Sequence, residues 1–151
     1  MLNSDYREIL QIFLEEHVKF IIIGAYALGV HGMPRATGDI DIFVRADAEN
    51  SRKIYQALIR FGAPVSDLTP LDFTAEGIIF QIGVVPRRVD ILTSIDGISF
   101  DEAYEDKVTA EVEGLTIPVL SVESLIRNKE ASGREKDILD VKILKKHLGR
   151  G

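Results

Sequence analysis

The chain has no cysteine among its 151 residues. That excludes thiol catalysis, disulfides and thiolate metal sites, and it fits a reducing cytoplasmic setting. An excess of positive charge is also missing: 18 Lys and Arg stand against 24 Asp and Glu, a formal net charge of −6. Proteins that bind nucleic acids generally depend on clustered cations to neutralise phosphates, so no general nucleic-acid binding is expected. Long apolar runs are absent as well. The most apolar stretch, Phe20 to Val30, carries two glycines and is too short to cross a bilayer. The opening residues, MLNSDYREIL, are acidic and amphipathic, not basic then apolar. No secretion signal and no membrane contact are expected from them.

What is present is an ordinary globular composition, 46% hydrophobic and 28% charged. This length suits one domain over residues 1–151, with a sheet-containing part at 1–120 and C-terminal helices at 121–151. Tyr6, Ile9, Leu10, Phe13 and Leu14 recur at helical spacing, and Asp5 with Glu8 reads as a capping box. KFIIIG reads as a buried strand ended by glycine, AYALGVHG as a short helix and MPRAT as a loop. DIDIFV is the next strand, followed by a helix from Asp47, its N-cap, to Phe61, with Gly62 past its end. Leu71 to Ile95 holds two or three strands, with turns at Glu76-Gly77 and Val85-Pro86. SFDEAYED is a short helix and KVTAEVEGLTIPVL a hairpin turning at Glu113-Gly114. Two helices close the chain, Ser121 to Ala131 and Arg134 to Leu148. The fold class is therefore α/β or α+β, a mixed sheet with helices against it.

The chemistry concentrates in TGDIDIFV, Thr37 to Val44. Strands alternate faces with period two, so Asp39 and Asp41 must point the same way while Ile40 and Ile42 point the other. Paired carboxylates on one face suit a hard divalent cation such as Mg²⁺, although a lone D-x-D more often marks a solvated surface. Three other features add to it. Gly24 ends a buried strand and opens a helix, where free backbone N–H groups could meet phosphate. Asp90, in RRVDILT, offers a third carboxylate from another apolar strand, as a two-metal site requires. Lys129, Arg134 and Asp137 extend the apolar stripes of the last two helices, as residues at the rim of the core and facing inward would, although each taken alone fits a snorkelling lysine or a local ion pair equally well.

Together, GAYALGVHGMPRATGDIDIFV and the later VDIL resemble the polymerase-beta-like nucleotidyltransferase superfamily. With the tail LIRNKEASGREKDILDVKIL, they look most like its small prokaryotic members. These are the abortive-infection toxin-type enzymes, the minimal nucleotidyltransferase antitoxins and the lincosamide-type antibiotic nucleotidyltransferases. The likeness runs from about Phe20 to Leu144. It implies a nucleotidyltransferase-fold sheet flanked by helices, with a short C-terminal helical segment. It also implies that Asp39, Asp41 and Asp90 are catalytic and hold two Mg²⁺ ions, with Mn²⁺ as a substitute. Gly24 matches the first glycine of the family's turn, while Ala25 stands where Gly or Ser is usual and offers only its N–H. Arg35 and Thr37 match the R-x-T before the acids, Lys129 the lysine near the nucleotide, and Asp137 with Asp140 the acids of the tail, beside Arg134.

The implied reaction is attack by an acceptor hydroxyl on the α-phosphorus of a nucleoside triphosphate, with loss of pyrophosphate. The acceptor is unknown: a small molecule, RNA or protein. The competing expectation is an antitoxin-like or nucleotide-sensing module that binds a protein through the same fold with little catalysis. The short tail suggests that a second copy or a protein partner completes the acceptor wall.

Overall fold

The computed structural model describes residues 2–148. Its centre is β1 (Phe20–Ile23), four apolar residues, three of them β-branched, buried on both faces. β1 runs antiparallel to β2 (Asp39–Val44) and parallel to β6 (Leu115–Val119). Beyond β2 lies β4 (Arg88–Leu92), parallel to it, and β3 (Ile79–Ile82) forms one edge. β5 (Val108–Val112) forms the other, so the sheet order is β3-β4-β2-β1-β6-β5. Leu71 to Ile95 supplies two of these strands, and the residues before Ile79 are turns that tuck Phe73 fully into the core.

Among the described residues six helices flank the sheet: α1 (Ser4–Glu15), α2 (Gly24–Val30), α3 (Ala48–Phe61), α4 (Phe100–Glu105), α5 (Val122–Ser132) and α6 (Glu135–Leu148). Helix α1 differs from expectation at its start. It begins at Ser4, so Asp5 already sits in the first turn, and Asn3 caps it by accepting a hydrogen bond from the Tyr6 N–H at 2.9 Å. Asp47 caps α3, and Gly62 ends it in the left-handed region at φ 87°. Ser121 caps α5, and Gly133 separates α5 from α6. Val141 and Leu144 of α6 are buried, as its stripe requires, but Leu148 is exposed because the helix runs past its support on α5.

The sheet pattern decides where chemistry can occur. Ile40 and Ile42 of β2 face the core, and the register sets Asp41 beside Asp90 and Asp39 beside Arg88 on the opposite face. No helix is long and apolar enough to cross a membrane among the described residues.

Candidate active site

Two parallel strands and period-two alternation place four side chains at the corners of a small lattice: Asp39 and Asp41 from β2, Arg88 and Asp90 from β4. Asp39, Asp41 and Asp90 each present a carboxylate oxygen within 4.8 Å of the others, close enough to share a metal ion. Hard oxygen donors in this number suit Mg²⁺ or Mn²⁺, so the residues fit the cation expected of them.

The three acids are held differently. Asp39 accepts a hydrogen bond from the Thr37 hydroxyl at 2.8 Å and another from Arg88 Nη2 at 2.7 Å. Burial disfavours its charge, but these hydrogen bonds outweigh burial and hold its pKa below the ordinary carboxylate value. Asp90 takes two bonds from the same guanidinium, at 2.9 Å from Nε and 3.1 Å from Nη2. Asp41 has no side-chain or backbone N–H donor among the described residues. Burial, then the charges of Asp39 and Asp90, push its pKa up to about 7. It also lies against Gly24, whose φ of +68° and missing Cβ are both required, since a Cβ there would collide with the Asp41 carboxylate.

Asp41 opens onto a cleft of about 730 Å³, within the range of small-molecule sites. Its walls include Gly24 and Ala25 at the start of α2, Arg35 and Thr37 from the following loop, and Lys129, Ser132, Arg134, Lys136 and Asp137 from α5, α6 and the turn between them. Leu92, Ile79 and Ile95 give an apolar shelf beside Asp41. No side chain caps the first turn of α2. A second, mostly apolar cavity of about 500 Å³ lies across the loop Pro34 to Thr37; it includes Leu10, Ile22 and Tyr26 but none of the three acids.

The tail residues form one ion-pair network. Asp137, wholly buried, accepts hydrogen bonds from Lys129 Nζ at 3.2 Å, Arg134 Nε at 2.8 Å and the Ser132 hydroxyl. Burial opposes its ionisation, yet Ser132, Arg134 and Lys129 together lower its pKa to about 2. Asp140 receives Lys129 at 2.9 Å and both Arg35 Nη atoms, at 3.1 and 2.9 Å. Lys129 and Asp137 thus face inward as the stripes imply. Arg134 does not: its side chain is 66% exposed, because it reaches Asp137 along the helix surface with its Nε only.

Gly24, Ala25, Arg35, Thr37, Lys129, Arg134 and Asp137 line one cleft with Asp41, Asp140 is joined to it only through Arg35 and Lys129, and Asp39 and Asp90 stand beside it in the grip of Arg88. Arg88 is not among the residues expected at the site, although its place two residues before Asp90 marks it for the same strand face. Tyr6 stands in the sequence only as one of five residues at helical spacing. Its buried hydroxyl reaches the carbonyl oxygens of Pro86 at 3.1 Å, Arg88 at 3.0 Å and Gly38 at 3.4 Å, where β2 and β4 begin. Burial raises its pKa to about 12, so it remains a donor. No local pattern could have revealed these contacts across 32 to 82 residues of chain.

Two neighbouring strands carrying these acids, with a glycine turn against one of the carboxylates, can be compared with known families. Residues 2–146 match the model of a nucleotidyltransferase family of unknown function, DUF6036. The chain belongs to that family. A search of curated protein sequences finds no match. Among solved structures, the chain is similar to TM1012 of Thermotoga maritima, described as a candidate nucleotidyltransferase. The two are 20% identical with a TM-score of 0.61, covering 100% of this chain and 97% of the other. It also resembles the antibiotic-resistance factor ANT(2'')-Ia at 17% identity and TM-score 0.64, over 97% of this chain and 84% of that one. The lincosamide antibiotic adenylyltransferase LnuA, in its lincomycin-bound structure, follows at 18% identity and TM-score 0.57, over 96% of this chain and 97% of LnuA. These likenesses establish the nucleotidyltransferase fold, in agreement with the polymerase-beta-like resemblance of the sequence.

Proposed function

We propose that this protein is a divalent-cation-dependent nucleotidyltransferase that moves a nucleoside monophosphate from a nucleoside triphosphate to a hydroxyl acceptor. The observation that carries this reading is the convergence of Asp39, Asp41 and Asp90 within 4.8 Å at the edge of a ligand-sized cleft. Three clustered carboxylates destabilise an empty site and become favourable once cations neutralise them. Asp39, Asp41 and Asp90 would hold Mg²⁺ or Mn²⁺, which supplies charge neutralisation at the triphosphate and eases loss of the acceptor proton.

The chain's own groups do the positioning. The N–H groups of Gly24 and Ala25 face the phosphates, and Arg35, Thr37, Lys129 and Arg134 line the same wall. The apolar shelf of Leu92, Ile79 and Ile95 receives the less polar part of the ligand and excludes water. The acceptor oxygen forms a bond to the α-phosphorus while the bond to the β-phosphate oxygen breaks. Pyrophosphate carries off the electron pair, and Asp90, next to the nucleophile, accepts the hydroxyl proton. Alignment and charge balance account for most of the acceleration in such transfers.

ANT(2'')-Ia is known bound to adenylyl-2''-tobramycin and LnuA to lincomycin, which favours a hydroxyl-bearing small molecule as acceptor here too. The test is incubation of the purified protein with α-labelled triphosphates, Mg²⁺ and candidate acceptors. Label should appear on an acceptor with wild-type protein and not with Asp41→Asn. No transfer and no Mg²⁺-dependent triphosphate binding would reject the reading in favour of a protein-binding module.

A further inference from the structure

Among the described residues, Arg88 is the one cation paired with the acids of the triad. Its guanidinium spans two strands, reaching Asp39 Oδ2 at 2.7 Å, Asp90 Oδ1 at 2.9 Å and Asp90 Oδ2 at 3.1 Å. Thr37 takes the remaining Asp39 oxygen. Every carboxylate oxygen of Asp39 and Asp90 therefore already accepts a hydrogen bond, and three of these four bonds come from a positive group. Asp41 alone is free of donors, and of the three acids it alone lines the cleft.

A Mg²⁺ ion binds carboxylate oxygen at about 2.1 Å. An ion shared by Asp39 or Asp90 would then lie within a few ångström of the guanidinium, two cations in a half-buried site where charge is poorly screened. Arg88 and a divalent cation cannot both hold these oxygens at full strength. Room for exchange exists, since the Arg88 side chain is 32% exposed while that of Asp90 is 9% exposed.

We infer that Arg88 is a built-in surrogate cation: it holds Asp39 and Asp90 together in the metal-free protein and must leave them for a divalent ion to bind. Loading is then an exchange that starts at Asp41, the open ligand, and finishes when Arg88 swings off Asp39 and Asp90. The inference rests on the metal reading above. It goes beyond it by making metal affinity a contest between a side chain and an ion. Arg88 acts here through the acids and is a positioning residue.

The experiment is Mn²⁺ titration by calorimetry, without nucleotide, on wild type, Arg88→Met and Arg88→Lys, with thermal melts of each with and without metal. Arg88→Met should bind Mn²⁺ at least tenfold tighter than wild type, melt lower when metal-free and gain more from added Mn²⁺. Arg88→Lys, which keeps the charge but loses the two-strand reach, should fall between. Equal or weaker Mn²⁺ binding by folded Arg88→Met, with wild type binding well, would overturn the exchange while leaving the proposed function standing. Absence of Mn²⁺ binding in every protein would overturn both. If Arg88→Met does not fold, wild type still decides the question through the Arg88 side-chain N–H resonance. A slowly exchanging Nε–H that is lost on adding Mg²⁺ supports the exchange, and one that persists at saturating Mg²⁺ refutes it.

Discussion

Two clusters of charge face each other across the cleft, and they are built on opposite terms. The triad on β2 and β4 sets three acids against one cation, Arg88, and leaves Asp41 without a donor. The tail network sets Arg35, Lys129 and Arg134 against Asp137 and Asp140, and each acid there has several donors. The pKa values point in opposite directions, Asp41 up to about 7 and Asp137 down to about 2. A satisfied network fastens structure, whereas an unsatisfied one keeps binding energy in reserve for a ligand. That contrast supports the role proposed for the triad as the chemical centre and makes the tail first of all the clasp that holds the cleft wall.

The largest expected effect tests the triad. Asp41→Asn or Asp90→Asn should reduce nucleotide transfer by about 100- to 1,000-fold, the scale on which losing one preorganised electrostatic group acts. Asp41→Asn should at the same time leave the metal-free fold as stable as wild type or more so, because it removes repulsion. A melting curve beside the activity assay checks both, and a large drop in stability would erase the contrast with the tail.

Asp137→Ala is the counterpart. It removes the acceptor of Ser132, Lys129 and Arg134 from a wholly buried position, while Lys129 keeps Asp140 and Arg134 stays solvated, so it should cost about 2 kcal/mol in urea unfolding. Little change in stability would show that the tail is not a clasp.

The pH dependence of metal-free stability sharpens the comparison. A carboxylate whose folded pKa is raised makes the folded state bind more protons than the unfolded chain between the two values. Asp41, raised from 3.8 to about 7, therefore contributes a decline in stability as pH rises from about 4 to 7. Asp137 works the other way: lowered from 3.8 to about 2, it contributes stability above about 4 that is lost as pH falls through 2. Denaturation at a series of pH values should show the decline towards neutrality in wild type and its loss in Asp41→Asn. Saturating Mg²⁺ should reverse it, since the cation binds the ionised form. An unchanged slope in the variant would mean that Asp41 is not the group concerned.

Much of this was legible in the sequence, and the reasons are physical. Period-two alternation in DIDIFV and RRVDIL fixes the face of each acid, and turn glycines such as Gly24 and Gly62 announce their own conformation. What stayed hidden depends on register between distant segments. Alternation puts Arg88 on the face of Asp90 but cannot say that Asp39 lies beside Arg88 and not beside Val89, so the grip of the guanidinium on two strands could not be foreseen. The same holds for Tyr6, whose three carbonyl partners are Gly38 just before β2, Pro86 in the turn before β4 and Arg88 at the start of β4. At the start of α1 two acceptable caps stood two residues apart, and Asn3 took the role that Asp5 had been expected to fill.

The smallest effect probes whether the two clusters are independent. Arg35 and Thr37 are two residues apart on one loop, yet Arg35 serves Asp140 of the tail while Thr37 serves Asp39 of the triad. Arg35→Lys keeps the charge but gives up the two-pronged grip on Asp140, and the Arg35 side chain is 38% exposed. Its cost in stability should be about 1 kcal/mol or less. Independent clusters predict unchanged Mn²⁺ affinity, because nothing in the triad has moved. If the loop transmits strain, Thr37 shifts with Arg35, Asp39 loses part of its hydrogen bonding, and Mn²⁺ binding changes by a few fold. Comparing Arg35→Lys alone with Arg35→Lys in the Thr37→Val background decides the matter. A metal effect that vanishes in the double variant must travel through Thr37, and one that survives there must reach the acids through the cleft wall.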